Sequence, residues 1–160
     1  MPEYRVKRSK STENLPEIIE SLADAVAGMN SATRRRILDS ATRGQRLLCG
    51  IYFYWDDVTN GGHWQYFWNY TGNLWQEALE ATTELHLPEE KILRDALALF
   101  PGKEPGPTQR ERREQLARIS RAKLGKLDDR FYALPGGNEK KVRQYIDKHP
   151  DEFFLSKRKS

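Results

Sequence analysis

The chain is short of the residue types that carry most small-protein chemistry. It has one cysteine, Cys49, among 160 residues. No internal disulfide can form, and a reducing, cytoplasmic setting is expected. Cys49 stands among apolar residues at helical spacing and reads as a small core residue. The only histidines are His63, His86 and His149. Their spacing fits no metal-ligand pattern, so no metal and no cofactor is expected. No apolar run approaches the ~20 residues of a membrane helix. The basic opening MPEYRVKRSK has no apolar segment behind it, as a signal peptide requires. Gly61-Gly62 lacks the Lys-Ser/Thr that follows in a phosphate-cradling loop.

What is present describes a polar, packed protein. Hydrophobic residues make up 38% and aromatics 11%, enough for a core within a single domain. Net charge is +4, but its distribution is uneven. Residues 34 to 46 set Arg34, Arg35, Arg36, Arg43 and Arg46 against Asp39. Residues 56 to 99 set eight carboxylates against Lys91 and Arg94. Residues 100 to 130 are again basic. Such a surface can steer a charged partner, but solvated helix faces are the simpler source of it.

Hydrophobic spacing predicts helices almost throughout. Leu15, Ile18, Ile19, Leu22 and Val26 mark the first, with Pro16 in its first turn and Gly28 as its stop. Asn30 or Ser31 suits the cap of the second, and Gly44 a break or bend. Residues 45 to 58 read as a buried helix stopped by Asn60-Gly61-Gly62. Helical spacing resumes at His63 and turns again at Thr71-Gly72-Asn73. Leu74, Ala78, Ala81 and Leu85 form a core stripe with Glu77, Glu80 and Glu84 directed away from it. Pro88 opens a further helix, and Pro101 to Pro107 reads as a stiff exposed loop. Thr108 with Glu111 fits a capping box for a basic helix running through Leu116, Ile119 and Leu127. Asn138 suits the cap of a last helix, and Pro150 its stop. The expected fold is all-α, a single compact domain of about seven helices over 15–155. A flexible basic arm at 1–14 and a basic tail at 156–160 flank it.

Three chemistries compete for the residues around the Gly-Gly turn and the arginine-rich segments. Asp56, Asp57 and His63 could form a hydrolase-like carboxylate–histidine arrangement, although no nucleophile motif accompanies them. Arg34, Arg35, Arg36, Arg110, Arg113 and Arg121 are candidate nucleic-acid contacts, interrupted by Glu111 and Glu114. The aromatic block offers the third. Tyr66, Phe67 and Trp75 suit a core, with Gln65 and Asn69 bonding the turn backbone. One helix cannot point every ring inward, so Trp64, Trp68 and Tyr70, with the acidic Glu77, Glu80 and Glu84, are candidate interface residues.

The stretch NGGHWQYFWNYTGNLWQEALEA (Asn60 to Ala81) resembles the signature of a bacterial helical family of unknown function named after DNA-mimic protein 19. Asn60, Gly61, Gly62, Gln65, Tyr66, Phe67, Asn69, Gly72, Ala78 and Leu79 occupy the signature's places. LDDRFYAL (127–134) and YIDKHPDEFF (145–154) are similar to its ending, and the resemblance spans 45–155. It implies an all-helical domain, often a homodimer, with no established enzymatic activity. The named member is strongly acidic and imitates DNA to occupy a DNA-binding transcription factor. This chain is net basic, so only 56–99 could present an acidic face. The expected function is therefore a non-enzymatic protein-binding module, regulatory or inhibitory and homodimeric, with an unknown protein partner. Nucleic-acid binding is the alternative and hydrolase-like chemistry the third reading.

Overall fold

Apolar residues at three- and four-residue steps give the first helix its buried face. In the computed structural model, which describes residues 3–9, 14–27 and 31–156, α1 (Leu15–Val26) buries Leu15, Ile18, Ile19, Leu22 and Val26. Pro16 lies in its first turn, where a missing N–H costs nothing. The expected stop at Gly28 and cap at Asn30 lie outside the described residues, as does the side chain of Ser31. The other helices are α2 (Ser31–Ser40), α3 (Arg43–Trp68), α4 (Trp75–Glu84), α5 (Glu89–Leu97), α6 (Gln109–Leu116), α7 (Arg121–Tyr132), α8 (Glu139–Lys148) and α9 (Pro150–Phe153). Short 3-10 turns cover Tyr70–Leu74 and Pro101–Lys103. Among the described residues there is no strand, only a bridge between Val6 and Phe154. The fold is all-α, as the spacing predicts.

The chain groups into two compact units, Met1–Cys49 with Asn138–Ser160, and Gly50–Gly137. In the first, α1 packs on α2 and α8 on α9. Residues 3–9, expected within a mobile arm, run beside the end of α9. The Val6 N–H donates to the Phe153 carbonyl at 2.9 Å, and the Leu155 N–H donates to the Val6 carbonyl at 2.9 Å. Tyr4 is buried there, and the Arg8 guanidinium lies 5.2 Å from the Phe154 ring centre. Gly44 neither breaks nor bends a helix. It sits in the first turn of α3, where its N–H donates to the Glu152 carboxylate at 2.9 Å. Pro150 starts the single-turn α9, not merely stopping α8.

In the second unit α4 packs on α5 and on the Tyr70–Leu74 turn, α5 on α7, and α6 on that same turn. The basic helix expected from Thr108 to Leu127 is two helices. Ser120 ends the run by accepting from the Lys123 N–H at 3.3 Å, which caps α7. The expected capping box is present. The Thr108 hydroxyl accepts from the Glu111 N–H at 3.1 Å, and the Glu111 carboxylate accepts from the Thr108 N–H at 3.0 Å. Asn138 precedes α8 with helical backbone angles and makes no side-chain capping bond. The segment from Pro101 to Pro107 is not wholly exposed, because Pro105 and Gly106 are buried. The Gly106 N–H donates to Gln115 on α6 at 2.8 Å.

The capping box generates the first prediction. Thr108→Ala removes the acceptor for the Glu111 N–H and lowers unfolding stability by about 1 kcal/mol, read from the urea midpoint.

Candidate functional site

Helical backbone angles fail at two residues inside α3, Gly61 (φ −156°, ψ 16°) and Gly62 (φ 75°, ψ −178°). Gly62 is in the left-handed region, and a Cβ there would collide with the Asp128 carboxylate. That carboxylate, from α7, caps the restarted helix. Its Oδ1 accepts from the His63 N–H at 2.8 Å and lies 2.6 Å from His63 Nδ1. A carboxylate accepts, so Nδ1 carries a hydrogen, and Nε2 lies 2.8 Å from the Tyr54 hydroxyl oxygen. His63 is fully buried. The expected grouping with Asp56 and Asp57 does not occur. Asp56 is exposed, within 3.4 Å of the Asn60 amide nitrogen.

Asp57 serves the turn as well. Its carboxylate accepts from Gln65 Nε2 and Asn69 Nδ2, each at 3.1 Å, and from the Thr71 hydroxyl. Gln65 and Asn69 therefore bond an acidic side chain, not the turn backbone as expected. Asp57 needs those donors because it is only 8% exposed.

A residue that sequence reasoning missed completes this arrangement. Arg112 on α6 is fully buried. Its Nε donates to the Phe67 carbonyl at 3.0 Å and its Nη2 to the Asn69 carbonyl at 2.9 Å. Its Nη1 donates to the Gly106 carbonyl at 3.3 Å and to the Asn73 side chain. Gly72 leaves room for this guanidinium, because a Cβ there would stand 2.8 Å from Arg112 Nε. Phe67 itself packs edge-on to Phe100, centroids 4.7 Å apart. The signal available in the sequence was position. Arg112 lies four residues before Leu116, on the face that enters the core.

Burial and charge around these groups act on two phenols. Burial holds Tyr66 well above the ordinary value of 10.0, Glu77 and Asp57 push it further, and Arg112 opposes. Burial likewise raises Tyr54, with Tyr66, Glu89 and Asp128 adding to it.

Two of the candidate interface rings form a surface stack. Trp64 and Trp68, one turn apart on α3, lie with centroids 4.5 Å apart and planes 17° apart. The Arg121 guanidinium lies over Trp64 at 4.2 Å, and that of Arg113 over Trp68 at 4.5 Å. Gln109 Nε2 and Arg113 Nε also donate to the Trp68 carbonyl, at 3.0 and 3.2 Å. Both rings remain partly exposed. Tyr70 is half-buried, edge-on to Phe53 at 6.0 Å.

Other candidates fall elsewhere. Glu77 is buried, contrary to expectation, because it follows Leu74 by three residues and shares its inward face; Glu80 and Glu84 are exposed. Trp75 is half-buried. Arg34 is buried and donates to the Val26 carbonyl at 3.1 Å. Arg35 pairs with Asp39 at 3.1 Å, Arg110 lies 3.4 Å from Glu114, and Arg36 is exposed. An open cleft of about 540 Å³ lies between the Pro101–Pro107 segment and α6, lined by Glu104, Pro105, Glu111, Gln115 and Ile119 among others. Among the described residues, no three His, Cys, Asp or Glu side chains are placed to hold a metal ion. No described helix is long and apolar enough to cross a membrane.

Two outcomes follow from the buried groups. Arg112→Met strips acceptors of their donors and lowers unfolding stability by about 3–5 kcal/mol in urea titration. Arg112→Lys does not restore it, since an ammonium cannot reach acceptors spread around a planar fork. The second outcome concerns pH. With phenol values raised in the fold, the unfolded chain ionises first as pH climbs past about 10, so stability falls there. Ultraviolet titration shows fewer phenolates in the folded protein than in the urea-unfolded protein at about pH 11.

The turn, the buried arginine and the stack all lie within a stretch that matches a known family. The family model described as DMP19-like protein matches residues 39–149, close to the expected 45–155. No curated protein and no solved structure matches the chain. The chain belongs to the DMP19-like protein family.

Proposed function

We propose that the protein is a non-enzymatic helical protein-binding module that regulates or inhibits a partner, DNA-binding or otherwise. It acts as a homodimer in a bacterial cytoplasm. The observation that carries this reading is the stack of Trp64 and Trp68 between Arg113 and Arg121. Tryptophan and arginine dominate the energetics of protein interfaces. Rings and guanidinium groups already ordered in the free protein lose little freedom on binding. Membership of the family fits a module of this kind.

Two facts narrow the mode of action. A whole-surface imitation of DNA needs a large excess of carboxylates, and the chain is net +4. Burial of Glu77 thins the acidic segment further. The hydrolase-like reading draws no support from His63, whose ring is buried between Tyr54 and Asp128. Nucleic-acid binding is left with fewer free cations, since Arg34 is buried and Arg35 and Arg110 have acidic neighbours.

The test is affinity capture from the native host with the wild type and with the Trp64→Ala/Trp68→Ala double variant. A specific partner held by the wild type falls about tenfold or more with the double variant. Capture that is identical with both proteins overturns the role of the stack. Light scattering after size exclusion at micromolar concentration gives the mass of a dimer; a strict monomer removes the homodimer.

A further inference from the structure

The stack leaves its two arginines with hydrogen-bonding edges to offer. Arg113 uses its Nε–H on the Trp68 carbonyl. Its two Nη groups, and the whole guanidinium of Arg121, have no hydrogen-bond or ion-pair partner among the described residues. Arg121 is exposed and Arg113 half-buried. Each tryptophan has one face against the other ring and the opposite face under an arginine. The two cations therefore stand at opposite ends of one pile. Its steps of 4.2, 4.5 and 4.5 Å bound the separation of the guanidinium carbons at about 13 Å.

We infer that this face receives an acidic segment of a partner protein, one carboxylate pairing with Arg113 and a second with Arg121. The inference rests on the protein-binding reading above and names its partner's chemistry. A guanidinium edge matches a carboxylate with two parallel N–H donors. An extended strand rises ~3.3 Å per residue, so carboxylates four residues apart span the two sites. Nucleic acid suits the face less well. Both faces of both tryptophans are covered, so no base can stack on them. The same two helices also expose Glu111, Glu114 and Asp129, which an unbroken run of phosphates would meet.

The test is calorimetric titration of the full chain with a Gly/Ser peptide carrying two glutamates four residues apart. The comparison ligands are the same peptide with glutamines, one with the glutamates adjacent, and oligo-dT. The spaced glutamate peptide binds, the glutamine peptide does not, and the adjacent-glutamate peptide binds more weakly. Arg113→Gln and Arg121→Gln each weaken binding about tenfold. Arg121→Lys also weakens it, because an ammonium lacks the fork. Arg36→Gln, in the first unit, changes nothing. In the wild type, the side-chain N–H resonances of Arg113 and Arg121 shift on titration, which needs no variant to fold.

Absent binding of the spaced peptide, binding unaffected by both glutamine variants, or tighter binding of oligo-dT through the same arginines overturns the inference. The two readings separate cleanly. If a native partner is captured through Trp64 and Trp68 but the peptide does not bind, the protein-binding reading stands and the acidic partner falls. If the peptide binds but capture is indifferent to the tryptophans, the reverse holds.

Discussion

A guanidinium removed from water must have its N–H donors met by protein acceptors, and Arg112 imposes that demand on the second unit. Its acceptors are the carbonyls of Phe67, Asn69 and Gly106 and the side chain of Asn73. They come from the end of α3, the 3-10 turn and the proline-containing segment. Those three stretches are obliged to converge on α6. The position of α6 then fixes its surface. Arg113, the next residue and about 100° further round the helix, reaches Trp68 because Arg112 is anchored beneath. The exposed stack is therefore a consequence of a buried polar centre.

The polar groups around the Gly-Gly break divide into two sets. Asp128 secures the restarted helix from outside α3, through the His63 backbone and ring. Asp57 gathers Gln65, Asn69 and Thr71 from within the same stretch. A histidine beside a carboxylate is common to catalysis and to architecture. Here Tyr54 lies at the ring's other nitrogen and the ring itself is fully buried, while the Asp128 side chain keeps a partly exposed edge.

What could be read in the sequence was local. The periodicity of α1, the break at Gly61-Gly62 and the capping box at Thr108 each depend on residues within a few positions of one another. The membership of the family was legible for the same reason, since its signature is a short ordered run. What could not be read was distant. Asp128 is 65 positions from His63 and Arg112 is 45 from Phe67. A basic helix gives no sign of which arginine turns inward. Apolar spacing through Leu116, Ile119 and Leu127 also hid the break at Ser120, because the three-residue steps run on across the short gap between the two helices. Glu77 was misplaced because its charge outweighed its position beside Leu74.

The two units differ in how they are threaded. Gly50–Gly137 is one continuous stretch of chain, whereas the first unit is assembled from Met1–Cys49 and Asn138–Ser160. Val6 finds its partners only at Phe153 and Leu155. During synthesis the nascent chain can close the inner unit once residue 137 has cleared the ribosome. The first unit must wait for α8 and α9. Over that interval Val6 has neither of its backbone partners, so a segment made among the first is among the last to be paired.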